Sequence, residues 1–191
     1  MKALRGYLKG LLPVLVALAV IFTSSLTQAQ TQEAVLSNTP PPLGSVVRQY
    51  QSIRQDGATA YAIWSLDETT SHQVWFRIAG GEALFNQRLR VYRENAGPRL
   101  DNSLPPRSAL VQEIMTNAPT GWYVLRPEQG RFTYYIDSDH RRGSGWANDE
   151  GVQVTRVRHE NGLFFQIRFE DIPQLDDYND LIVEVAVVQG R

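Results

Sequence analysis

Leu163, Phe165, Ile167 and Phe169 alternate with Phe164, Gln166, Arg168 and Glu170. A period of two sends successive side chains to opposite faces, so this segment suits a β-strand with one buried face. Val152 to Arg158 reads as its partner arm, joined through Glu160-Asn161-Gly162, where an Asn-Gly pair suits a turn with positive φ. Leu181 to Val188 carries Leu181, Val183, Val185 and Val187 on one face. Upstream, Ala58 to Leu66, His72 to Ala79, Leu89 to Arg93, Trp122 to Leu125 and Arg131 to Ile136 are further short strands. One helix is expected, capped by Ser108, striped by Leu110, Val111, Ile114 and Met115, and stopped by Pro119. So many short strands separated by turns predict an all-β fold, a jelly-roll-like β-sandwich of antiparallel strands with one short helix.

The N-terminus reads as an export signal. Lys2, Arg5 and Lys9 precede an apolar run from Leu11 to Phe22, and Ala29 offers a small residue for cleavage. The run falls short of the roughly 20 apolar residues that span a bilayer, so no stable membrane insertion is expected after cleavage. Residues 1–29 are thus read as a signal peptide, 30–50 as a spacer around Pro40-Pro41-Pro42, and 51–191 as one domain. Removing Lys2, Arg5 and Lys9 from the 19 basic residues leaves 16, all arginine, against 20 acids, a formal charge of −4. That balance argues against a nucleic-acid binder. Without cysteine, thiol catalysis, thiolate metal sites and disulfides are excluded, and a bound ion becomes an alternative staple for an exported domain.

The densest chemistry lies between the last two strands. Glu170, Asp171, Asp176, Asp177 and Asp180 place five carboxylates beside Asn179 within eleven residues, with no Lys, Arg or His among them. Hard oxygen donors in this number suit Ca²⁺, which takes six to eight oxygens. Asp and Asn also form turns by bonding nearby backbone N–H groups, which accounts for one or two of these residues better than for all.

Phe169-Glu170-Asp171, followed by Asp177-Tyr178-Asn179-Asp180 before an apolar strand, resembles the family called domain of unknown function 4114. The resemblance covers roughly residues 110–190. It implies a β-sandwich of exported bacterial proteins, including cyanobacterial ones and surface adhesins, whose signature acids bind Ca²⁺. Position by position it marks Glu170, Asp171, Asp177, Asn179 and Asp180. Two departures stand out: Ile172-Pro173-Gln174-Leu175 replaces the usual glycines, and Leu175 falls where the signature has its first Asp.

Asp137-Ser138-Asp139 opens a second acidic stretch, read as a long loop running to Glu150. It begins like an EF-hand but has Arg141 at the fifth position, Gly143 one place late and Asn148 at the twelfth. Either Asp137 or Asp139 completes the metal site of the later loop, or Asp139 pairs with Arg141 or Arg142 on the surface. His72, His140 and His159 lack zinc spacing and are expected at exposed loop edges, and no G-x-S-x-G elbow occurs. No catalytic set emerges, so the chain is expected not to be an enzyme. Trp146, between Gly145 and Ala147, is the candidate for stacking on a sugar ring.

The expectation is a secreted, periplasmic or cell-surface Ca²⁺-binding module with a structural or adhesive role, its partner a surface glycan or protein. A calcium-dependent glycan binder using Trp146 and a polysaccharide hydrolase are the alternatives.

Overall fold

A computed structural model of the chain describes residues 34–65, 69–118, 120–172 and 177–190. The expected signal peptide, Pro119 and Asp176 lie outside the described residues. Among those described, thirteen strands form two antiparallel sheets, the all-β sandwich expected.

The first sheet runs in the order β1 (Val35–Ser37), β8 (Trp122–Val124), β5 (His72–Gly80), β13 (Leu181–Gln189), β12 (Gly162–Glu170), β11 (Gly151–His159) and β2 (Val46–Gln49). β3 (Ile53–Asp56) also pairs with β11, at the end away from β2. The second sheet runs β10 (Gly145–Asn148), β9 (Thr133–Arg142), β6 (Gln87–Glu94), β7 (Leu110–Met115), with β4 (Ala60–Trp64) also on β9. Alternation carries through to packing. Phe165, Ile167 and Phe169 of β12, with Leu181, Val183 and Val185 of β13, meet Leu89, Val91 and Ile136 of the opposite sheet in the core. All are essentially inaccessible to water, and each such side chain contributes roughly 1.5–3 kcal/mol of transfer free energy.

Several local expectations are overturned. The helix expected over Leu110–Met115 is strand β7, preceded only by a 3-10 turn at Arg107–Ala109. Pairing steps from Val91–Gln112 to Tyr92–Leu110, leaving Val111 as the extra residue of a β-bulge. The bulge turns both Val111 and Ile114 into the core, a spacing of three that imitates a helical stripe. The loop expected from Asp137 to Glu150 is the hairpin β9–β10, turning at Gly143 with φ 62°. The 160–161 turn contains no residue with positive φ. Gly162 is needed for another reason: a Cβ there would stand 2.2 Å from the Val187 carbonyl oxygen.

Asn161 serves the N-terminal segment instead. Its Oδ1 accepts from the Gly44 N–H at 2.5 Å and its Nδ2 donates to the Pro42 carbonyl at 2.8 Å. The stretch expected to be a spacer therefore supplies β1 and β2, one on each side of the first sheet.

Candidate metal centre

β12 ends at Glu170 and β13 begins at Leu181, so the acids at those strand ends are brought side by side. Glu170, Asp171 and Asp180 are buried, and each offers an oxygen within 4.8 Å of the others. This buried cluster could hold a metal ion. The Asp171 backbone N–H donates to Asp180 Oδ2 at 2.7 Å. Glu170 Oε2 accepts the N–H groups of Asp177 and Tyr178 at 3.1 and 2.9 Å, and its Oε1 that of Ile172 at 3.3 Å. The loop therefore wraps its own backbone around the Glu170 carboxylate.

Pleating sends Asp171 the other way, into the gap between the sheets. There Gln87 Nε2, from the first position of β6, donates to Asp171 Oδ2 at 2.9 Å. Ser138 Oγ donates to Gln87 Oε1 at 3.4 Å, and His140 Nδ1 meets Asp149 Oδ1 at 2.9 Å. Asp149 is fully buried, and its second oxygen has no hydrogen-bond partner. An unpaired buried carboxylate oxygen is costly and marks a place where a cation or a water belongs.

The electrostatics follow from this crowding. Burial pushes the carboxyls of Glu170, Asp171 and Asp180 above their ordinary range, and repulsion from neighbouring acids adds to it. Burial likewise raises Asp149, against the hydrogen bond with His140. No arginine forms an ion pair with the three clustered acids among the described residues. Three carboxyls thus converge, with Asp149 and His140 close enough to act electrostatically on Asp171.

The other residues singled out in sequence are placed apart from this set. Asp177 is exposed and contributes its backbone N–H, while Asn179 is half-buried and its carbonyl accepts from the Glu82 N–H at 2.8 Å. Tyr178, at φ 50°, donates its hydroxyl to Asp56 Oδ1 at 2.7 Å. Asp137 and Asp139 lie on the outer face of β9, opposite in the pleat to Ser138 and His140. Arg90 Nε donates to Asp137 Oδ2 at 2.7 Å, and Arg88 grips both oxygens of Asp139 at 2.8 and 2.5 Å. Trp146 faces the same side, with the guanidinium carbons of Arg88 and Arg141 at 4.1 and 5.7 Å from its ring. His72 and His140 are buried rather than at exposed loop edges; His72 Nε2 meets the Tyr134 hydroxyl at 2.8 Å.

Gln87, His140 and Asp149 were missed in the sequence reading. Continuing the inward set Tyr134, Ile136 through Ser138 to His140 would have placed the histidine between the sheets. Nothing comparable marks Gln87 or Asp149. Comparisons with protein-family models, with curated proteins and with solved structures give no match.

Proposed function

We propose that this chain is an exported Ca²⁺-binding β-sandwich module with a structural or adhesive role at the cell surface or in the periplasm. The observation that carries this reading is the convergence of Glu170, Asp171 and Asp180 within 4.8 Å, buried and without an arginine partner. An all-oxygen, irregular donor set favours Ca²⁺ over zinc, which prefers nitrogen and sulfur, and over Mg²⁺, which demands a stricter octahedron. The unpartnered oxygen of Asp149 and the motif resemblance support the same reading. The cation would neutralise the strand ends and hold the loop between β12 and β13 in one conformation.

This geometry is a poor match to glycoside hydrolysis, in which two carboxyls face each other across a cleft at roughly 5–9.5 Å. Here the acids are packed together and shielded from solvent.

The test is Ca²⁺ titration of chelator-stripped protein, followed by heat release and thermal unfolding, beside Asp171→Asn/Asp180→Asn. A ligand at one hundred times its Kd stabilises the folded state by about 2.7 kcal/mol. For a domain of this size that is a rise in melting temperature of roughly 5–10 °C. Absence of both heat and a melting shift at millimolar Ca²⁺ would overturn the reading.

A further inference from the structure

The end of the sandwich remote from the acids carries an arginine-lined groove. β12 runs from Gly162 to Glu170, so the two ends are separated by roughly 26 Å at about 3.3 Å per residue. At the Gly162 end β2 pairs with β11 in a register that sets Arg48 directly opposite Arg158. Like charges so placed destabilise a sheet. Among the described residues no carboxylate lies within 4.0 Å of Arg48, Arg156 or Arg158. By contrast, Arg88, Arg90, Arg93 and Arg99 each pair closely with a carboxylate.

The cations are also positioned. The guanidinium carbons of Arg156 and Arg48 stand 4.0 and 4.8 Å from the centroid of the Tyr50 ring. The Tyr50 N–H donates to the Arg156 carbonyl at 3.0 Å, fixing the ring beside β11. Stacking uses the face of a guanidinium and leaves its N–H edge to bind an oxyanion in the same plane. Two cavities adjoin here, of about 260 and 180 Å³, sharing Gly162, Leu163 and Gln189 as walls. The larger is lined by Arg156, Arg158 and His159, the smaller by Leu163, Val187 and His72.

We propose that this groove binds an acidic saccharide, its carboxylate or sulfate ester on Arg156 and Arg158 and an adjoining ring along Leu163 and Val187. The mixed lining selects this class. Glu160 and Gln189 stand beside the arginines and can accept hydroxyl donors, whereas a flat anionic surface would bring its charges against Glu160. The apolar half gives the C–H face of a sugar ring a place that a free inorganic anion does not use. The site is independent of the metal centre and stands or falls without it.

The test is calorimetric titration of the purified chain with oligogalacturonate, cellohexaose and sodium sulfate, with co-sedimentation on phosphatidylglycerol vesicles. Oligogalacturonate binds, weakens as salt rises past a Debye length of about 10 Å, and loses roughly tenfold or more in affinity in Arg156→Gln/Arg158→Gln. Cellohexaose and sulfate give no comparable heat. Arg158→Gln alone raises the melting temperature of the ligand-free protein, because it relieves the repulsion with Arg48. Sulfate binding as tightly as the oligomer, or arginine-dependent vesicle binding without saccharide binding, overturns the assignment. So does absence of binding, or a melting temperature that falls in Arg158→Gln.

Discussion

Asp171 donates its backbone N–H to the carboxylate of Asp180 at 2.7 Å, so the residue after one strand is tied to the residue before the next. The same oxygen group that repels Asp171 electrostatically also holds its backbone in place. These two roles separate by mutation. Asp180→Asn keeps an acceptor and removes a charge, so metal-free protein at pH 8 melts higher while its Ca²⁺ response is lost. Asp180→Ala removes the acceptor and melts lower by about 1–3 kcal/mol, the cost of an unsatisfied buried N–H. Thermal unfolding of both variants with and without Ca²⁺ checks this.

Acidification acts on the cluster in an unusual direction. Glu170, Asp171 and Asp180 have native values raised from 4.5, 3.8 and 3.8, chiefly by burial. A raised acid contributes stability that is fully present below its unfolded value and lost as pH rises through its native value. The metal-free protein therefore loses stability from this cluster as pH rises above about 4, and bound Ca²⁺ is expected to cancel the loss. His72, which burial depresses, works oppositely and favours the fold above its unfolded value. The slope is accordingly read as the difference between wild type and Asp171→Asn/Asp180→Asn in denaturant melts from pH 4 to pH 8.

Gly80 and Gly81 are neighbours with opposite tolerance. A Cβ on Gly80 meets nothing within 4 Å, whereas one on Gly81 (φ 148°) would sit 2.2 Å from the Asp180 carbonyl oxygen. Gly81→Ala is expected to cost at least about 1–3 kcal/mol through overpacking and strain, and to weaken Ca²⁺ binding by shifting Asp180. Gly80→Ala leaves both unchanged. Chemical denaturation and calcium titration of the pair measure the contrast.

On the outer face of the second sheet, Asp137 is buried and pushed up to about 7 despite its contact with Arg90, because loss of hydration outweighs the arginine. Its stabilising contribution is complete below about pH 3.8 and lost as pH rises through about 7. Asp137→Asn is therefore expected to flatten the pH dependence of unfolding between those limits. A carboxyl titration of this residue by NMR, with a midpoint near 4, would refute the prediction.

Strands whose alternation is apolar against polar were legible: β5, β12 and β13 read directly from Val74 and Phe76, Phe165 to Phe169, and Leu181 to Val187. β7 was misread because a bulge changed the phase of its inward residues, which period alone cannot reveal. β9 was cut short at Ile136 because its inward positions become Ser138 and His140, polar residues whose burial depends on Gln87 from distant sequence and on Asp149 just beyond the β9–β10 hairpin. In the candidate metal centre, Glu170, Asp171 and Asp180 were visible as a charge run. The division between carboxylates that converge and residues that lend only backbone, such as Asp177, follows from strand-end geometry and from loop wrapping.

β1 and β2 belong to one short N-terminal segment, yet they pair on opposite sides of the same sheet, on β8 and on β11. A single proteolytic cut-back to residue 51 would therefore bare two rows of backbone donors and acceptors at once. An edge exposed on one side lets molecules pair; edges exposed on both sides let them polymerise. The proline-bearing stretch that looks like a tether is in this sense a selvedge, the finished border that keeps the woven sheet from being extended by its neighbours.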